Sequence, residues 1–322
     1  MVAKIRLLGI LCCFLTASRS LISQEKIRFE TGNAQNTAGK ISKTIDGPQP
    51  GEERTFEIER GKKMIFCWVP KGECQLGSPK AEREEALKVL GDDEYWLQKM
   101  DEESDANRGK YRTNGFWLGK YTVTQNEWRS VMGTTPFAFC KNGDYADEVK
   151  GIDTSRYPAE SLTWNDCQAF LKKINHRKDV EKIFGQEGAF VLPNEDEWEY
   201  ACRGGNGNKQ TFYWGNVFDG EKANCGGSFP DGTKVKVPYQ RRPIPVGSYE
   251  KIAKHPWNLC DMHGNVWQWC ENWYDDDDDF RVLRGGSWGQ FAVNCRSSYR
   301  YRLAPDDRNS STGFRICFRL SR

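Results

Sequence analysis

The residues of this chain best suited to chemistry are its sulfurs, and their spacing is the first constraint. Of twelve cysteines, Cys12 and Cys13 fall in an apolar leader, leaving Cys67, Cys74, Cys140, Cys167, Cys202, Cys225, Cys260, Cys270, Cys295 and Cys317. Thiolate metal centres use ligands a few residues apart, commonly Cys-x-x-Cys with histidines at similar spacing. No such pair occurs, and there are only three histidines, His176, His255 and His263. A zinc centre is therefore not expected. An even number of cysteines behind an export signal points to disulfides instead. Cys67 with Cys74, and Cys260 with Cys270, are near enough in sequence to close small loops. The run Asp275 to Asp279 lacks the spaced oxygen ligands of a calcium loop and reads as a solvated loop.

A second chemical cluster lies nearby: Asp261-Met262-His263-Gly264-Asn265-Val266-Trp267-Gln268-Trp269-Cys270, then Arg281 to Trp288 with its Gly-Gly-Ser-Trp ending. A Gly-Asn turn, two tryptophans one residue apart and a double glycine read as a tightly wound aromatic region beneath a shallow site. Three capped helices must support it. Thr124 with Glu127, Thr163 with Asp166 and Asn194 with Glu197 are capping boxes, in which the paired side chains satisfy free backbone N–H groups. Apolar residues then follow the 3.6 period: Trp128, Val131 and Met132; Trp164, Cys167, Phe170, Leu171 and Ile174; Trp198, Ala201 and Cys202. Strands are expected over Met64–Pro70, Phe116–Val123 and the alternating end Phe314 to Leu320. The charged stretch from Ala81 to Lys110 reads as a surface helix and loop.

The organisation that results is one α+β domain over residues 58–322. Before it come a signal peptide over 1–20, with Lys4 and Arg6 ahead of the apolar Leu7 to Ala17, and a polar arm over 21–57. Cleavage of that leader implies a secreted or periplasmic protein. No later stretch is long enough to span a bilayer. Charge is nearly balanced, 47 basic against 45 acidic residues, so composition makes no electrostatic case for nucleic-acid binding. Twelve tryptophans and 31 glycines point to a loop-rich, aromatic-cored fold.

Several segments resemble the formylglycine-generating enzyme (sulfatase-modifying factor) family. They are Trp117 to Thr124, Leu192 to Gly205, Tyr213 to Asn216, Asp261 to Trp269, Arg281 to Trp288 and Thr312 to Arg315, in family order. The resemblance implies a variant of the C-type lectin-like fold with little regular secondary structure. It also implies an oxidase that uses copper and oxygen to convert a sulfatase cysteine to formylglycine. That chemistry needs two thiolates shortly after Gly-Gly-Ser, because soft sulfur ligands select monovalent copper. Here Trp288 to Tyr299 contains Cys295 alone, so copper is not expected. The iron-dependent branch of the family needs histidines from an extra N-terminal domain, which residues 21–57 do not supply.

The resemblance implies further roles. Cys202 would pair with Cys295, and Cys167 with Cys317, as disulfides, each of the latter two being displaced from the family position. A calcium ion would be held by the Asp261 side chain, the Gly264 and Val266 carbonyls, and Gln268 where the family has Glu; a turn held by hydrogen bonds alone is the alternative. Trp267, Ser287, Trp288 and Arg302 would line a groove for a peptide or small ligand, although core packing accounts for the tryptophans equally well. Three functions stay open: an exported binding or accessory protein without copper chemistry, a formylglycine-generating oxidase with relocated cysteines, or another modifying enzyme on this scaffold.

Overall fold

A computed structural model describes residues 47–59, 61–176, 183–205, 208–226, 239–277 and 279–321. The leader and most of the arm lie outside them. The first sheet has five antiparallel strands in the order β1-β2-β3-β9-β4: β1 Glu53–Glu59, β2 Lys62–Gln75, β3 Lys110–Gly119, β4 Gly188–Val191 and β9 Cys317–Leu320. The second has four, in the order β7-β6-β5-β8: β5 Trp267–Trp273, β6 Arg281–Arg284, β7 Arg300–Leu303 and β8 Thr312–Phe314. Only the β5/β8 pair in it is parallel.

All three capping boxes form. They open α4 Gln125–Met132, α5 Trp164–Asn175 and α6 Glu195–Arg203, and left-handed glycines Gly133 and Gly204 end the first and last. The largest cluster of buried side chains joins α4 and α5 to the first sheet through Trp128, Phe170, Phe190 and Phe318. A second cluster, on the other face of that sheet, holds Leu118 and Cys317 together with Trp198 and Cys202 of α6.

Three expectations need correction. The arm does not run to residue 57, because β1 begins at Glu53; Phe56 and Ile58 are buried while Thr55 and Glu57 point outward, the alternation of a half-buried strand. Residues 81–110 are not one helix and a loop. They form α1 Lys80–Leu90, α2 Glu94–Glu102 and α3 Asp105–Arg108, and β3 starts at Lys110. Nor are their charges all solvated: Glu82, Lys99 and Glu103 are buried, the two glutamates against the Arg296 guanidinium. Finally, the alternating C-terminal end is two strands in different sheets, broken at Arg315 and Ile316. The break is where the Arg315 side chain turns into the core.

Candidate functional site

The site is assembled by the turns that join α6, β5 and β6. Gly264 has φ +77°, and a Cβ there would lie 2.2 Å from the Asn224 carbonyl oxygen. Gly286 has φ +74°, and its Cβ would lie 2.3 Å from Cys295 Sγ. Both positions thus demand glycine for conformation and for space. The Gly264 N–H donates to the Gly285 carbonyl at 2.7 Å, and the Trp288 N–H to the Asn265 carbonyl at 3.0 Å. Asn265 binds a third loop: its Oδ1 accepts from the Ile244 N–H at 3.0 Å and from Asn224 Nδ2 at 3.2 Å.

Behind these turns lies a buried charge network. Glu199 of α6 accepts from Arg203 Nη2 at 2.8 Å, the Gly77 N–H at 2.8 Å and Arg284 Nη2 at 2.5 Å. Burial alone raises its pKa, but the Arg203 and Arg284 guanidinium groups outweigh that and bring it down to about 2. Arg284 is the last residue before Gly285-Gly286-Ser287, so Glu199 ties α6 to the start of the site.

Of the four expected groove residues, Ser287 and Trp288 occupy one place. Ser287 is fully buried, and neither its Oγ nor the Trp288 indole N–H has a hydrogen-bond partner among the described residues. Asn294 Oδ1 is also unpartnered, whereas its Nδ2 donates to Gln290 Oε1. Trp288 meets Phe139 edge-on at 5.5 Å, and Phe139 stacks on Tyr145 at 4.7 Å. Sequence reasoning did not find Phe139, since nothing local marks a loop aromatic as a wall. Glu160 holds this wall by accepting from the Phe139 N–H at 2.9 Å and the Ala138 N–H at 3.2 Å. The other two residues serve elsewhere. Trp267 is buried beneath Tyr301, with centroids 5.3 Å apart, and Arg302 pairs with Asp275 at 2.9 Å.

Two of the expected calcium ligands, Gln268 and Asp261, are engaged in hydrogen bonds within the protein. Gln268 is fully buried, and its Oε1 already accepts from Trp198 Nε1 at 2.8 Å and Arg315 Nε at 2.9 Å. Its Nε2 donates to the Asp261 carbonyl at 3.0 Å, and the Asp261 carboxylate accepts from the Gly247 N–H at 2.8 Å. Arg315 also donates to the carbonyls of Gly119, Lys120, Cys260 and Asp261. A guanidinium from the residue after β8 thus joins Gln268 to the carbonyls of two turns.

Neither expected disulfide is present. Cys202, Cys167 and Cys317 are free, buried thiols. His263 contacts both residues: its Nε2 is 3.6 Å from Cys202 Sγ, and its Nδ1 is 2.7 Å from the Cys295 carbonyl oxygen. Cys167 and Cys317 are in the two core clusters on opposite faces of the first sheet. The one-residue displacement of Cys317 turns its side chain to the wrong face. The Cys202–His263 contact is no nucleophilic dyad, because burial pushes the Cys202 thiol up to about 12 and away from the reactive thiolate. Cys225 belongs to the same small buried cluster as Cys295, with Phe212 and Ala292.

Burial also pushes His263 down to about 3 and His255 down to about 4. Both keep neutral rings with each nitrogen engaged. A depressed histidine pKa costs stability as pH falls below the unfolded value near 6.5, by about 1.4 kcal/mol per pH unit for each ring. Glu160 acts with the opposite sign, because burial raises it to about 7 and protonation then favours the folded state. Between pH 6.5 and 5 these three groups leave a net loss of about 1.4 kcal/mol per pH unit. Urea midpoints across this window are expected to fall with pH, and more steeply in Glu160→Gln. An unchanged slope in that variant would contradict the assignment.

Two sheets of mostly antiparallel strands with short capped helices define an α+β fold of the formylglycine-generating-enzyme type, a variant of the C-type lectin-like fold. The solved structure of PvdO from Pseudomonas aeruginosa superposes with a TM-score of 0.60 at 22% identity, covering 85% of this chain and all of that one. The profile of the sulfatase-modifying factor enzyme 1-like domain matches residues 52–320, and the chain belongs to that family. An inactive C-alpha-formylglycine-generating enzyme 2 of Bos taurus is 27% identical over 290 residues, 81% of this chain and 90% of the relative. A formylglycine-generating enzyme of Streptomyces coelicolor is 30% identical over 186 residues, 49% of this chain and 52% of the relative. Among the described residues no helix is long and apolar enough to cross a membrane.

Proposed function

We propose that this protein is an exported binding or accessory member of the family, which holds a peptide or small ligand at Ser287 and Trp288 and does not carry out copper-dependent oxidation. The observation that carries this reading is the segment after Gly-Gly-Ser. Its one cysteine, Cys295, is packed on the Gly286 backbone, while Ser287 Oγ, Trp288 Nε1 and Asn294 Oδ1 are buried without partners among the described residues. Buried polar groups without partners cost about 1–3 kcal/mol each, which a ligand with matching groups recovers. The charged leader ahead of Ala17 supports export. The kinship with a relative named inactive supports the loss of oxidation.

The presence of Cys225 in the cluster of Cys295 favours a second reading, an oxidase with relocated cysteines. One assay separates the two. The mature protein, reduced and loaded with monovalent copper, is incubated in air with a Cys-x-Pro-x-Arg peptide, and the peptide mass is followed. No formylglycine is expected. Its formation, with loss in Cys225→Ser, would establish the oxidase instead.

A further inference from the structure

We infer that Glu160 makes the Phe139 wall of the Ser287 and Trp288 site a proton-operated gate, shut while the carboxyl holds its proton and loosened once it ionises. The consequence for a ligand rests on the reading of Ser287 and Trp288 as a binding site; the gate itself is a property of the wall. Ser287 is fully buried, so a ligand reaches its Oγ only when a neighbouring side chain moves. Phe139 is buried edge-on to the Trp288 indole, and its backbone hangs on the Glu160 carboxyl.

The surroundings of that carboxyl are neutral. Oε1 accepts from the Phe139 N–H at 2.9 Å, and Oε2 from the Ala138 N–H at 3.2 Å and Ser161 Oγ at 2.7 Å. Glu160 is fully buried, and no lysine, arginine or histidine pairs with it among the described residues. On the wall segment Lys141, Asp144, Tyr145, Asp147, Glu148 and Lys150 are exposed, and Asp144 adds a repulsion. On the flanking elements Glu127 is engaged in its capping box, Arg156 lies over the Tyr121 ring at 4.9 Å, and Arg308 pairs with Asp166 at 2.7 Å. A buried carboxylate without a counter-ion is costly, and protonation relieves that cost.

The same contacts let the acid form hold the wall. A hydroxyl accepts as well as donates, so a protonated Oε2 can donate to Ser161 Oγ while Oε1 keeps the Phe139 N–H. The segment's bond from Gln125 Nε2 to the Phe139 carbonyl, at 3.0 Å, is between neutral groups and does not change with pH. The three donors to Glu160 favour its ionised form, yet burial outweighs them and holds the carboxyl up to about 7. Moving the wall away returns the carboxyl to water and to the ordinary value of about 4.3. Opening therefore releases a proton, and each pH unit between about 5 and 7 favours it about tenfold. Global unfolding has the opposite sign below pH 6.5, because the depressed histidines make it harder as pH rises.

The test is amide hydrogen exchange of the mature protein, followed by NMR between pH 5 and 6.5, with protection corrected for the intrinsic exchange rate. The Ala138 and Phe139 amides should lose protection about tenfold per pH unit as pH rises, while the core amides of α5 gain it. Glu160→Gln places a neutral donor where the acid proton would be. It should flatten the profile at Ala138 and Phe139 while α5 keeps gaining protection, an outcome that a purely structural role for Glu160 would not give. No ligand enters the measurement, so a failure of Ser287 and Trp288 to bind one is a separate result. The proposal is overturned if protection at Ala138 and Phe139 is flat or rises with pH in the wild type, or if Glu160→Gln keeps the wild-type slope.

Discussion

Glu199→Ala is expected to lose at least about 3–5 kcal/mol of stability, the usual consequence of removing one partner from a buried ion pair. Glu199 is the shared counter-ion of two arginines, Arg203 and Arg284, both of them fully or almost fully buried. Alanine leaves both guanidinium groups in a low-dielectric interior and frees the Gly77 N–H that its Oε1 accepted. Domains of this size are stable by only about 5–15 kcal/mol, so a large share of the total is at stake. Glu199→Gln keeps the shape and one acceptor, and should fall between wild type and alanine. Urea denaturation at pH 7 measures the difference. A loss below about 1 kcal/mol for alanine would mean that water or rearrangement compensates the arginines.

Arg315→Met is the second large effect, expected to cost more than about 4 kcal/mol, which is exceptional for a single substitution. Methionine matches the apolar stem and supplies none of the donors. Four backbone carbonyls and Gln268 Oε1 would lose N–H groups at once, and each buried acceptor left unmatched costs about 1–3 kcal/mol. Those carbonyls come from residues 119–120 and 260–261, so the guanidinium joins the end of β3 to the turn that leads into the site. Arg315→Lys should recover little, because one ammonium cannot reach all of the positions that the planar fork serves. Added calcium offers a direct check on the oxygen cluster. If millimolar calcium restored the Tm of Arg315→Met, the cluster would accept a metal once vacated. Unchanged Tm would confirm that its geometry belongs to the guanidinium.

Much of the scaffold was legible because its signals are local. A capping box lies within four residues, and the apolar period that follows it defines one helix face. Those two features placed α4, α5 and α6 correctly. The motif segments likewise identified the family without any coordinates. The β1 strand was missed although Thr55-Phe56-Glu57-Ile58 alternates, because its polar flank reads as a continuation of the arm.

What the sequence alone determined about Asp261–Trp269 and Gly285–Trp288 is that they form glycine-dependent turns next to each other in the family fold, with a single thiol following. Tertiary structure decided the rest, because it concerns partners distant along the chain. Gln268 lies 47 residues from the arginine that occupies its oxygen, and no spacing rule shows that contact. His263 contacts the Cys202 sulfur and the Cys295 carbonyl, partners distant along the chain. Trp267 and Trp288 look alike in sequence, yet one packs under Tyr301 while the other has a buried indole N–H without a partner among the described residues. Burial and the identity of long-range neighbours set the chemistry of each group, and both are properties of the folded chain.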